Sequence, residues 1–388
     1  MRNPSWLGAA AIAFALVTLT ALPMAAQTTK TAAKSAVPRM PDGHPDLQGT
    51  YDLATMTPME RLPDDPPSLT KEKAEALAKA ELARRVQYDL PSQGDRPAPP
   101  VGGVIGFPSP PRSVFEFLTR APAGGTGGYN YFWLNQGTTF TVVDGQIRTS
   151  IVVDPPDGHV PPYNETARKR MATGVGCDDL IQCGVEVRAA TPTSDARESQ
   201  DTPFIQATGS FDNPEERPLS ERCLLGFGST SGPPALPDYF YNDLHQIVQT
   251  PDSIMILNEM VHDARVVRMN AQHLPKNIRR WMGDSVGHWE GDTLVVDTTN
   301  FNDKTRFRSS TENLHVIERF TRIDDKTLLY RFTVEDPDTW DKTWTGEYTW
   351  PATTKPIYEY ACHEGNYALG DVLRGARHQE ALEAAAKK

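Results

Sequence analysis

The chain has 388 residues and carries 50 acidic against 39 basic side chains, a formal charge of −11. That balance argues against nucleic acid or an anionic membrane as partner, because phosphate recognition depends on clustered Lys and Arg. A chain of this length can bury a sizeable core, in one large domain or in two tightly joined ones.

The first residues read as a secretory signal over 1–26. Arg2 supplies a positive start, Leu7 to Leu22 is an uncharged apolar run, and Pro23-Met-Ala-Ala26 offers small residues for cleavage before Gln27. The run is short for a span of ~20 apolar residues, and no cysteine lies near the cleavage point for lipid attachment. The expected product is periplasmic or secreted. Residues 27–40 form a disordered leader, 41–370 a single β-rich domain and 371–388 a C-terminal helix.

Prolines concentrated between 58 and 123 predict long ordered loops. Residues 69–87, rich in Ala, Glu and Lys at helical spacing, predict a surface helix. Strands are expected at 113–119, 139–143 and 146–153, the last two joined at Asp144-Gly145, a favoured hairpin dipeptide. A short helix follows at 163–172 and an irregular acidic loop at 190–220.

From Gln246 the pattern becomes regular. Strands are expected at 245–250, 253–260, 261–269, 293–298, 314–323, 327–335, 341–350 and 356–362, punctuated by Pro251-Asp252, Asp324-Asp325 and Asp336-Pro337. Consecutive strands without long helices between them predict an antiparallel meander. The fold class is therefore mainly β: a lipocalin-like, up-and-down barrel in the C-terminal half, wrapped by a loop-rich N-terminal region with short strands and a helix.

Four cysteines follow the signal. In an oxidising compartment they allow three pairings. Cys177 and Cys183 bracket a short loop and are natural partners, which leaves Cys223 with Cys362. No C-x2-C spacing supports a structural zinc site.

Three strand-like stretches place a histidine beside a carboxylate: Glu259-Met-Val-His262, His315-Val-Ile-Glu318 and His363-Glu364. On a regular strand, residues three apart face opposite sides, so each of the first two pairs needs a bulge to act together. Arg319 and Arg322 give Glu318 an ordinary structural partner, and Glu259 with Arg265 suits an ion pair. His363 adjoins the proposed disulfide, a rigid support, and ranks first among candidate site residues. Tyr129, Asn130 and Trp133, after a glycine-rich approach, are expected to line a pocket, as is Asn366. Trp289 and Trp350 are assigned to the core. H-E-x-x-H, G-x-S-x-G, P-loop and dinucleotide motifs are absent. A three-histidine metal site from His262, His315 and His363 ranks below metal-free chemistry, so no cofactor is expected.

The segments IRRWMGDSVGHWEGDTLVVDTTNF (278–301), ERCLLGF (221–227), ENLHVIERFTR (312–322) and YEYACHEGNY (358–367) resemble hallmarks of a large group of exported bacterial proteins. The likeness extends over nearly the whole mature chain. Common forms of that group carry Trp at Tyr51 and Arg at His159 and His288. The resemblance implies one shared architecture and supports the Cys223–Cys362 pairing, since both cysteines fall in shared motifs.

The functional expectation is an exported enzyme, a lyase or hydrolase, acting on a small aromatic or plant-derived molecule. His262 or His363 would be general base, Glu259 its orienting or acid partner, and Arg265 would stabilise a developing oxyanion, with His315 contributing from its own stretch. The alternative is a non-catalytic carrier of a hydrophobic or aromatic ligand. Outward-facing or scattered histidines would favour the carrier.

Overall fold

Among the described residues thirteen strands and three α-helices form, in chain order. They are β1 (Gly49–Asp52), β2 (Ser68–Leu69), α1 (Lys71–Tyr88), β3 (Val142–Val143), β4 (Gln146–Arg148), β5 (Val152–Asp154), α2 (Glu165–Ala172), β6 (Leu244–Gln249), β7 (Ser253–Asn258) and β8 (Ala264–Met269). There follow β9 (Asp284–Glu290), β10 (Thr293–Thr299), β11 (His315–Arg322), β12 (Thr327–Glu335), β13 (Trp344–Thr353) and α3 (Tyr367–Ala386). The computed structural model describes residues 37–88, 112–114, 135, 137–172, 213–217, 219–226, 232–237, 242–305 and 307–387. The expected signal, most of the 113–119 strand and most of the 190–220 loop lie outside the described residues.

The protein is mainly β and its centre is a closed nine-stranded barrel. Strands β6 to β13 pair in sequence order, and β1 closes the ring by pairing with both β6 and β13. β5 adds to the outside edge of β13, while β2, β4 and β3 make a separate small sheet. The N-terminal half thus contributes a barrel stave, where the sequence had placed the barrel wholly in the C-terminal half.

The expected all-antiparallel meander fails at one seam, because β8 and β9 run parallel. A parallel neighbour needs a crossover instead of a tight hairpin, and residues 270–283 supply one. Gly283 (φ +68) ends this crossover where a Cβ would sit 2.7 Å from the Thr299 carbonyl. Sequence reading missed β9 and proposed a strand at 356–362, which is extended chain and turn.

Alternation decides what fills the barrel. The burial of β11, β12 and β13 up to Trp350 sends Val316, Phe320, Leu328, Tyr330, Phe332, Trp344, Tyr348 and Trp350 inward. Tyr330 lies 4.6 Å from Trp350 and 5.6 Å from Tyr348 between ring centroids. Gly346 leaves room for the Phe332 ring, into which a Cβ would collide. Each such ring contributes roughly 1.5–3 kcal/mol by leaving water. Trp350 is core as expected, whereas Trp289 is partly buried and stacks on His44 at 4.6 Å.

Residues 232–237 are buried across this aromatic interior. The Ala235 N–H donates to the Tyr330 hydroxyl and the Tyr348 hydroxyl donates to the Ala235 carbonyl, both at 2.9 Å. A second small core forms where Ala74 and Leu77 of α1 meet Met56 and Phe140. Thr70 caps that helix by accepting from the Lys73 N–H.

Candidate functional site

The β7–β8 connection holds the densest group of the expected site residues. Met260, fully buried, anchors it. Glu259 is helical, but Val261 (φ 59) and His262 (φ 54) then adopt the left-handed region in succession. For a β-branched valine that conformation is strained by ~1–3 kcal/mol and persists only where surrounding contacts impose it. A 3-10 turn between two strands, not a bulge within one strand, thus brings Glu259 and His262 to the same stretch of chain.

Both side chains grip the same stretch of chain. Glu259 is buried, and its carboxylate accepts the Tyr358 N–H (2.9 Å) and, more weakly, the Leu244 N–H (3.4 Å). His262 places Nε2 3.2 Å from the Tyr360 N–H and 3.1 Å from the Tyr358 carbonyl. An amide N–H only donates, so accepting it requires a bare Nε2 and the proton on Nδ1; a proton on Nε2 would instead serve the carbonyl. The Cys223–Cys362 disulfide (Cα–Cα 5.8 Å) ties this segment down, which agrees with the expected pairing.

Asp263, which sequence reading had left outside the site, is the chemically distinct member. One carboxylate oxygen is buried with no hydrogen-bond partner among the described residues. Burial alone pushes its pKa up to about 7. A carboxyl group so placed exchanges its proton near neutrality.

The remaining expected residues go elsewhere. His363 is exposed in a turn after the disulfide, and among the described residues only its backbone carbonyl is engaged, by the Asn366 N–H at 3.3 Å. Asn366 has a structural use: it caps α3 through the Leu369 N–H and donates to the Glu221 carbonyl at 2.7 Å. Tyr129, Asn130, Trp133, Cys177 and Cys183 lie outside the described residues.

Arg265 points into the barrel and makes a bidentate pair with Glu318, both contacts 2.6 Å. Tyr330 donates to the same carboxylate at 2.7 Å. This corrects the assignment of Glu318 to Arg319 and Arg322: Arg319 pairs with Glu290, and Arg322 holds backbone carbonyls. It also corrects the Glu259–Arg265 ion pair. Despite burial, the Glu318 charge raises the Arg265 pKa. Beside them His245 is fully buried, and neither ring nitrogen has a well-formed hydrogen bond among the described residues. Burial and then the Arg265 charge push its pKa down to about 3, against a weaker pull from the Asp243 backbone.

His315 faces outward, into a chain of alternating imidazoles and carboxylates. Its ring nitrogens meet Asp297 (3.1 Å) and Glu335 (3.3 Å). His273 bridges the same Asp297 oxygen (3.0 Å) to Asp284 (3.2 Å), which also accepts from Arg268 at 3.0 Å. The Asp297 hydrogen bond raises the His315 pKa. Burial opposes ionisation of Asp297, yet His315 and His273 together hold its pKa low. This array clips the β8–β9 crossover to the barrel wall.

The three histidines therefore do not converge on one pocket. Among the described residues no group of three or more His, Cys, Asp or Glu side chains is placed to hold a metal, and no described helix is long and apolar enough to cross a membrane. No family model, curated protein or solved structure matches this chain.

Proposed function

We propose that the chain is an exported enzyme performing side-chain acid–base chemistry, hydrolysis or elimination, on a small aromatic molecule at the β7–β8 turn. One observation carries the reading: the Asp263 carboxyl group has one buried oxygen and no ion pair among the described residues, at the end of a strained turn. Its pKa of about 7 suits proton transfer in either direction at neutral pH. This replaces His262 or His363 as the expected base. Glu259 and His262 act as positioning residues, since their polar atoms engage backbone. Tyr358, exposed beside the turn, offers a ring face for an aromatic substrate. The disulfide is compatible with export into an oxidising compartment.

The scattered histidines by themselves favour a carrier, but aromatic side chains and residues 232–237 occupy the barrel interior, which leaves a ligand inside the barrel less support. The enzyme reading is tested by NMR titration of the Asp263 carboxyl carbon. A midpoint near 7 is expected, and one in the ordinary carboxylate range removes the proposed base. A screen of aromatic esters, ethers and glycosides then gives the functional test. Turnover should lose its limb near neutral pH in Asp263→Asn; full activity in that variant would sink the assignment.

A further inference from the structure

We propose that the cleft between β3, the β11–β12 turn and β13 binds a neutral polyhydroxylated ring, a saccharide unit, at a site separate from the β7–β8 turn. The inference does not depend on the acid–base reading.

The cleft encloses about 300 Å3, at the lower end for small-molecule sites and enough for one ring. Its lining is of mixed character. Val142, Ile323 and Pro351 give apolar surface, and Val142 is 45% exposed, which leaves its methyl groups available. Threonines and Asp324 give polar surface.

Most of the threonines are already engaged. Thr141 and Thr349 share a hydroxyl contact of 2.9 Å, and Thr55 donates to the Thr139 carbonyl at 3.1 Å. The hydroxyls of Thr139 and Thr327 have no hydrogen-bond partner among the described residues. One Asp324 oxygen accepts the Lys326 N–H at 2.8 Å, and its second oxygen has no such partner. The groups without a partner among the described residues are thus two hydroxyls and one carboxylate oxygen, in a lining that also holds apolar side chains.

That combination selects among ligands. Among the described residues the lining contains no Lys, Arg or His, so an anion finds no countercharge there and meets Asp324 instead. A phenol would seek a ring face, but the one aromatic residue among the described lining residues, Phe140, is only 7% exposed. A sugar matches both kinds of surface: its C–H groups cover apolar side chains, and its hydroxyls donate to Asp324 and exchange hydrogen bonds with the threonines.

The test is amide NMR of the full exported chain titrated with glucose, xylose and cellobiose at millimolar concentration, with phenol as comparison. Sugar-dependent shifts are expected at Thr139, Asp324 and Thr327. Asp324→Asn should weaken binding by about tenfold, as loss of a hydrogen bond to a charged group does. Thr327→Val, which keeps the side-chain shape, should weaken it by a smaller factor and guards against a disturbed turn in the first variant. Absence of shifts with all three sugars overturns the proposal. So do shifts with phenol alone, or sugar binding of unchanged strength in both variants.

Discussion

Asp263 and Arg265 stand two positions apart where β8 begins, and the barrel treats them oppositely. Arg265 enters the barrel interior and meets Glu318 and, at 3.5 Å, the Ser285 hydroxyl, while Tyr330 donates to the same Glu318 carboxylate. Asp263 is partly withdrawn from water, but no cation or donor meets its buried oxygen among the described residues. A buried charge with a bidentate counterion is held in a structural pair and is not free to exchange protons. An unpaired buried carboxyl keeps its proton until neutral pH and is available for transfer. Proximity in sequence says nothing about this difference; the partner across the barrel decides it.

The largest expected effect breaks the paired side. Glu318→Gln leaves the Arg265 charge uncompensated in the interior and should cost ~3–5 kcal/mol in urea unfolding. Replacing both groups by apolar residues of similar volume, Arg265→Met with Glu318→Leu, should recover most of that loss. A small effect of Glu318→Gln alone would mean that water reaches the pair.

The unpaired side should respond with the opposite sign. The folded-state pKa of Asp263 lies above its unfolded value, so the folded protein binds more protons between about pH 4 and about pH 7, and stability falls as pH rises through that window. Asp263→Asn removes the titration. It should leave stability near pH 4 almost unchanged and raise it at pH 8 by up to ~4 kcal/mol. Destabilisation at pH 8 would show that the carboxylate has a structural partner. Relief of strain is a smaller lever on the same turn: Val261→Gly should gain ~1 kcal/mol, after the greater chain entropy of glycine is offset.

The outer array supplies the solvated control and the smallest change. His315 has a raised folded pKa, so its contribution is complete below about pH 6.5 and is lost as pH rises through the folded value. Asp297 has a lowered one, so its contribution is present above about pH 4 and is lost as pH falls through the folded value. Their joint optimum lies between. Partial exposure screens the pair, and His315→Gln should flatten the profile by less than ~1 kcal/mol. A larger change would place this array with the dry groups.

Much of the barrel was legible along the chain. Alternation over 315–322 and 327–335 marked inward and outward faces, and Asp-containing turns marked where strands ended. The parallel β8–β9 seam was not legible, since the Gly-His-Trp-Glu end of β9 lacks the branched residues that announce a strand. For the site, the Glu259–His262 spacing marked residues that do act on the same segment, but through a 3-10 turn between two strands where a bulge had been expected. His363 misled because its neighbours Cys362 and Asn366 hold structure, and a side chain between them need not face inward.

The sequence by itself determined the barrel strands other than β1 and β9, most of the turns and the Cys223–Cys362 bridge, because each depends on local preference or on a small choice of partners. Only the tertiary structure decided which titratable groups would be silent and which reactive. Arg265 reaches Glu318 across 53 residues, through a register that exists once β1 closes the ring. Desolvation is a property of that closed shape: Asp263 gains its proton affinity from what surrounds it and finds no partner there.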